Sequence, residues 1–165
     1  MGDIRPAAAG DAAAIAAIYA HHVAHGTATF DTEAPDAAYW ADRIAGLAAQ
    51  GAPFLVIERD GALAGYAYAS RFRDRAAYAR TCEDSIYLRA DCLGQGLGRA
   101  LLGALVEAAR DAGFEQMIAV VGGGEAASVA LHARLGFVQA GRMRNVGFKF
   151  GRRLDTVYMQ RDLTA

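Results

Sequence analysis

Apolar residues spaced three and four apart predict helices in this chain, and apolar residues that alternate or run unbroken predict strands. Ile15, Ile18, Tyr19 and Val23 share one side of a helical period, and Asp11 stands where a cap belongs, so a helix is expected from Asp11 to about His25. Ile4-Arg5-Pro6 before it reads as a short strand stopped by proline. Residues 26–35 (GTATFDTEAP) carry turn formers and no period, which predicts a loop. Asp36 then caps a second helix to about Ala49 with the stripe Trp40, Ile44 and Leu47. Residues 54–58 and 62–72 are β-rich and meet at Arg59-Asp60-Gly61, a hairpin signal.

Further along, residues 81–88 form another strand pattern, followed by a glycine-rich loop and a helix from about Gly96 to Ala112 bearing Leu97, Leu101, Leu105 and Ala108. Gly113 ends that helix. Met117 to Val121 is a continuous apolar run of the kind buried in a sheet, broken by Gly122-Gly123-Gly124. Residues 128–134 are helical until Gly136, and residues 137–144 and 154–162 close the chain as strands. The order β-α-α-β-β-β-α-β-α-β-β, without an internal repeat or linker, predicts one α/β domain over residues 1–165. Its sheet should be mixed and mostly antiparallel, with helices on both faces.

Composition narrows the function. A chain of 165 residues that is 54% hydrophobic can build one sizeable core. A net charge of -1 offers no basic field for nucleic acid or an anionic membrane, and no apolar stretch approaches the roughly 20 residues of a membrane span. The partner is therefore expected to be a small molecule, and no secretory segment opens the chain. Cys82 and Cys92 read as ordinary reduced thiols, which points to the cytoplasm. No metal is expected: His21 and His25 share a helical face, but no third ligand accompanies them, so histidines 21, 22 and 25 read as helix-end caps.

Candidate chemistry starts at Gly94, Gly96 and Gly98. Glycines this close bare the backbone N–H groups where the next helix begins, which suits an anion such as a pyrophosphate; a glycine-tolerant surface turn explains the loop equally well. A dinucleotide fingerprint is excluded because its third glycine would fall at Arg99, and a nucleoside-triphosphate loop because Gly98 is followed by Arg99-Ala100. The segment resembles the acyl-CoA loop of the GNAT N-acetyltransferase superfamily, with Leu93 where that family has Gln or Arg. The resemblance implies acetyl-CoA as cosubstrate. It would be held by backbone amides of Gly94, Gln95, Gly96, Leu97, Gly98 and Arg99, beside the splayed strand residues Ile86, Tyr87 and Leu88. A second family signature runs from Glu125 through Ser128 and His132 to Gly136-Phe137, with Glu125 in place of Asn and His132 in place of Tyr. It implies cofactor contacts at Glu125 and Ser128.

Arg73-Asp-Arg75-Ala-Ala-Tyr78 together with Thr81-Cys-Glu83-Asp84-Ser85-Ile-Tyr87 resembles, more narrowly, the phosphinothricin and methionine sulfoximine N-acetyltransferases, as do residues 27–33 and 146–155. Members of that family acetylate the α-amino group of small amino acids, and many are homodimers. Glu83, mid-strand between apolar residues, is then the candidate general base, with an ion pair to Arg73 or Arg75 as its structural alternative. Asp84 should fall on the opposite sheet face. His132 is the candidate acid for the leaving thiolate, or a helix histidine bonded locally. Arg73 and Arg75 are placed to grip a carboxylate, Tyr78 to wall the pocket and Ser85 to meet substrate, while the oxyanion falls to backbone N–H groups near Tyr87 and Leu88. Thr29 and Phe30 are candidate pocket or lid residues, Phe30 alternatively a core plug. Lys149, Arg152, Arg153 and Asp155 read as a solvated hairpin end. Another amine or a protein N-terminus as acceptor, or a non-catalytic acyl-CoA sensor, are the competing readings.

Overall fold

The computed structural model describes residues 2–165. In chain order the elements are β1 (Asp3–Pro6), α1 (Ala12–His25), α2 (Ala37–Ala49), β2 (Phe54–Arg59), β3 (Ala62–Arg71), β4 (Thr81–Leu88), α3 (Leu97–Asp111), β5 (Gln116–Gly122), α4 (Ala126–Arg134), β6 (Val138–Lys149) and β7 (Arg152–Asp162). The strands make one sheet in the order β1-β2-β3-β4-β5-β7-β6. Every pairing is antiparallel except β4 with β5. This is the mixed, mostly antiparallel α/β sheet that the pattern predicts.

Alternation along β3 and β4 divides the core. Tyr66 and Tyr68 pack with Trp40, Ile44 and Leu47 of α2 and with Ile15 and Ile18 of α1 on one face. Ala67, Ala69, Cys82 and Met117 pack with Leu101, Leu102 and Leu105 of α3 on the other. Each fully buried Leu, Ile or Met among them contributes about 1.5–3 kcal/mol relative to exposure.

The feature that positions the site is a pairing that stops early. β4 and β5 are in register only from Thr81 opposite Gln116 to Asp84 opposite Ala119. Beyond that point Ser85–Leu88 and Val120–Gly122 diverge, leaving backbone edges without a strand partner and opening a gap through the sheet.

Two local expectations are corrected. Asp36 caps α2 by accepting the Tyr39 N–H at 2.9 Å, but Asp11 makes no such bond to α1. Its oxygens accept both terminal nitrogens of Arg5, at 2.8 and 2.9 Å, and the Ala8 N–H at 2.8 Å. A bidentate guanidinium outcompetes a helix-end amide, so Asp11 fastens the chain entering α1 to β1. The last hairpin also runs farther than residues 144 and 154, to Lys149 and back from Arg152. Asn145 at φ 58° and a register shift between Met143 and Gly147 absorb the turn-like Asn145-Val146-Gly147 as a bulge within the strand.

Candidate active site

The glycine loop forms one wall of a groove of about 660 Å³, whose other walls include Leu88, Leu93, Glu125, Ser128, Leu131 and Arg134. Gly96 is the residue before α3 and holds φ 81°, a left-handed turn that L side chains resist. It aims the first-turn amides of Leu97, Gly98 and Arg99 into the groove, where none has an acceptor within the helix. Gly98 is small for a different reason: a Cβ there would stand 3.3 Å from Leu88 Cδ1 and 3.4 Å from Leu131 Cδ2. Gln95 donates from Nε2 to the Asp91 carbonyl at 3.0 Å and so stiffens the loop. Bare amides at a long helix's N-terminus, facing an elongated groove that leads to the splayed strands, fit a pyrophosphate-bearing thioester carrier. Ile86, Tyr87 and Leu88 line the groove's inner end.

Glu125 does not point at this groove as an unattached charge. Its Oε1 accepts from Thr27 Oγ1 at 2.8 Å and ties the start of α4 to the loop after α1. His22, expected to cap its own helix, donates Nε2–H to the carbonyl of Leu88 at 2.7 Å and so holds the end of β4. His21 and His25 border the same groove. Among the described residues no three His, Cys, Asp or Glu side chains are arranged to hold a metal ion.

A second cavity, about 280 Å³, occupies the gap between β4 and β5 and is lined by Thr29, Phe30, Glu83, Asp84, Ser85, Tyr87, Ser128 and His132 among others. Alternation sends Glu83 toward the α1/α2 face and Asp84 toward the α3/α4 face, as expected. Because the sheet is open there, both carboxyl groups nevertheless border one cavity. The Glu83 carboxyl is raised above its ordinary value by burial first and by the charge of Asp84 second, against the opposing pull of Arg73 and Arg43.

Asp84 and His132 are a buried pair. His132 Nε2 lies 2.9 Å from Asp84 Oδ2, with the side chains 3% and 2% exposed. His132 Nδ1 lies 2.7 Å from the Ser128 carbonyl, which can only accept, so Nδ1 carries a hydrogen. Nε2 and Oδ2 therefore share a further proton between them, since two bare acceptors would repel. Burial by itself would lower the imidazolium's pKa, but the hydrogen bond and charge of Asp84 and the Ser128 carbonyl together raise it. Neither ring nitrogen is left for a direct bond into the cavity. The other carboxylate oxygen, Asp84 Oδ1, is buried and has no partner.

The loop at residues 26–35 roofs this cavity. Gly122 lets it cross the end of β5, since a Cβ there would stand 2.8 Å from the Ala28 carbonyl oxygen. The Thr29 hydroxyl bonds the Tyr19 hydroxyl at 2.7 Å, and Phe30 lies against Gly147, where a Cβ would overlap its ring. Lys149 corrects the expectation of a solvated hairpin end. It is buried, and its Nζ donates to the carbonyls of Gly26 and Thr29, both at 2.9 Å. Burial lowers its pKa.

The remaining expected site residues stand apart. Arg73, Arg75 and Tyr78 lie on the exposed stretch after β3 and do not line the cavity. The Arg73 guanidinium sits 4.1 Å from the Phe72 ring centroid and bonds the Phe72 carbonyl, while its charge is felt at Glu83. Sequence reasoning missed Thr27 and the coupling of Asp84 to His132. The pairing of two titratable residues across 48 positions leaves no local signal.

A family profile described as an acetyltransferase (GNAT) domain matches residues 4–158. A phosphinothricin N-acetyltransferase of Alcaligenes faecalis is 53% identical over 94% of this chain and 79% of its own length. An L-methionine sulfoximine/L-methionine sulfone acetyltransferase of Pseudomonas aeruginosa is 42% identical over 97% of this chain and 94% of its own. Among solved structures, a phosphinothricin acetyltransferase from Sinorhizobium meliloti in complex with AcCoA superposes with a TM-score of 0.95 at 46% identity, covering 98% of this chain and 88% of that one.

Proposed function

Since the chain belongs to the GNAT acetyltransferase family, we propose that its split sheet carries out acetyl transfer to the α-amino group of a small amino acid of the phosphinothricin or methionine sulfoximine kind. The reaction is acetyl-CoA-dependent N-acetylation of an amino acid. Acetyl-CoA supplies an activated acetyl group, and the first-turn amides of Leu97, Gly98 and Arg99 hold its diphosphate. The observation that carries this reading is one raised carboxyl, Glu83, in the gap that adjoins the glycine groove.

An α-ammonium group is not nucleophilic until it loses a proton. Glu83 accepts that proton, and its raised pKa brings its basicity nearer to the task than an ordinary carboxylate's. Backbone amides at Ile86 and Leu88, which alternate away from β3 on an edge that β5 has left, meet the oxygen on which negative charge develops, while the Tyr87 amide belongs to the β3 ladder. Arg73, whose charge reaches Glu83, and Arg75 take the acceptor's α-carboxylate, with Tyr78 beside them on the same exposed stretch. Ser85, Thr29 and Phe30 frame the acceptor. His132 acts as half of a buried pair whose shared proton lies between Nε2 and Asp84 Oδ2, and so fixes the Asp84 carboxylate beside the cavity.

We also assign the outer strand β6 to a homodimer contact. Val138, Val146 and Phe148 on it, and Phe150 in its turn, are each more than half exposed. So much apolar surface at one sheet edge fits burial against a second copy. A cytoplasmic location is supported by two buried free cysteines, the Cys82 thiol being pushed up to about 12 by burial and so kept unreactive.

The test is CoA release with phosphinothricin and methionine sulfoximine as acceptors, for the wild type and Glu83→Gln. Loss of a general base lowers kcat by ~100-fold or more with acetyl-CoA affinity unchanged. Unchanged turnover in Glu83→Gln removes Glu83 from the mechanism.

A further inference from the structure

The apolar stripe of α2 consists of Trp40, Ile44 and Leu47, all buried. Arg43 stands inside that stripe, three residues after Trp40 and four before Leu47, so helical geometry turns it toward the sheet. Its Nε is buried without a hydrogen-bond partner. The guanidinium carbon lies 5.1 Å from the centroid of the Tyr68 ring. Among the described residues, no Asp or Glu forms an ion pair with it. A half-buried guanidinium that rests on an aromatic face, with its Nε unbonded and no ion pair formed, keeps its fork free to receive an anionic group.

What the missing anion belongs to follows from the neighbours. Tyr68 is the register partner of Ser85, and Ser70 that of Glu83. All four side chains project on the face that α2 covers, so the Arg43 guanidinium overhangs the strand segment that presents the base. Arg73 on one side and Arg43 on the other both act on the Glu83 carboxyl. Arg43 borders a cavity of about 650 Å³ with Ser70, Arg71 and Asp74, separate from the one that Glu83 lines, so it has space for a ligand group that reaches past Glu83 on the α2 side.

We propose that Arg43 is a specificity-determining residue that recognises a second anionic group, carried on the side chain of the acceptor amino acid. The inference rests on the proposed role of Glu83 as the partner of the acceptor's amine. With the ammonium at Glu83 and the α-carboxylate toward Arg73, a side chain ending in a phosphinate or carboxylate presents two oxygens to a planar guanidinium fork. Phosphinothricin has such a group. Methionine sulfoximine ends in an uncharged one and leaves Arg43 without an ionic partner. The acceptor class is therefore the dianionic, glutamate-like amino acids.

The experiment compares kcat/KM for phosphinothricin and methionine sulfoximine in the wild type, Arg43→Gln and Arg43→Lys, with acetyl-CoA affinity as the check that each variant is folded. The wild type is expected to prefer phosphinothricin. Arg43→Gln should lower kcat/KM for phosphinothricin ~10- to 100-fold, chiefly through KM, the range expected for one charge-assisted contact, and change methionine sulfoximine by less than about threefold. Arg43→Lys, which keeps the charge and loses the fork, should fall between, and it carries the comparison if Arg43→Gln does not fold. Equal losses for both acceptors, or no loss for either, overturn the inference while acetylation itself stands. A wild type that acetylates neither acceptor overturns the acetylation reading and this inference together.

Discussion

Replacing Asp84 separates a proton-sharing pair from a merely packed one. Asp84→Ala removes the carboxylate whose Oδ2 sits 2.9 Å from His132 Nε2, and both side chains are almost fully buried. Deleting one member of such a pair costs about 3–5 kcal/mol, because the survivor stays buried without its partner. For a domain of this size each kcal/mol moves the melting temperature by roughly 2–4 °C, so a loss of about 6–20 °C is expected. The pH dependence discriminates further. The folded pKa of His132 is raised, so its stabilising contribution is fully present below the unfolded value of about 6.5 and is lost as pH rises through the folded value. The stability gap between wild type and Asp84→Asn should thus be widest near pH 6 and narrow toward pH 9. Asparagine can still donate to a neutral Nε2, so the high-pH gap should be small. Chemical denaturation at a series of pH values measures this directly. A gap that does not change between pH 6 and pH 9 would falsify the shared proton.

The raised Glu83 carboxyl places the acid limb of the kcat profile above the ordinary glutamate range, with activity rising as the base loses its proton; a limb at or below about 4.3 refutes this. Lys149→Met removes two charge-assisted bonds to the loop at residues 26–35. It should raise the acceptor KM, cost about 3 kcal/mol or more of stability, and speed proteolytic nicking in that loop, whereas acetyl-CoA affinity should hold. Phe148→Asp places a charge on the most exposed aromatic of β6 and should shift the chain from dimer to monomer in light scattering; a wild type that is already monomeric ends the homodimer assignment.

Element identity was legible because each stretch obeys one period without conflict. The α3 stripe and the unbroken Met117–Val121 run could be read directly, and the observed strands begin or end within a residue or two of expectation over most of the chain. The exceptions share one cause: a long-range partner overrode a local preference. Asp11 looks like a cap until Arg5 folds back onto it. Asn145-Val146-Gly147 looks like a turn until β7 pairs on both sides of it. Lys149 sits among charged residues and is buried only because two carbonyls, more than a hundred positions upstream, await it. Of the site, the glycine loop and Glu83 were visible through residue type and context. The Asp84–His132 pair was not, because adjacency to Glu83 drew attention to strand alternation while the register that opens the sheet is a property of β5. Arg43 did leave a trace, a cation interrupting an apolar stripe, although such a residue reads as a snorkelling side chain until its lack of an ion-pair partner is seen.

The ammonium of Lys149 joins a segment made early in translation to one made almost last. Until the last hairpin has been made, nothing can fasten the roof over the acceptor's chamber. Acetylation should therefore await the strand that carries Lys149. For the same reason, two fragments divided at the exposed Gly136 after α4 should each be silent and regain turnover only on reassembly, which makes this fold a natural basis for a split reporter.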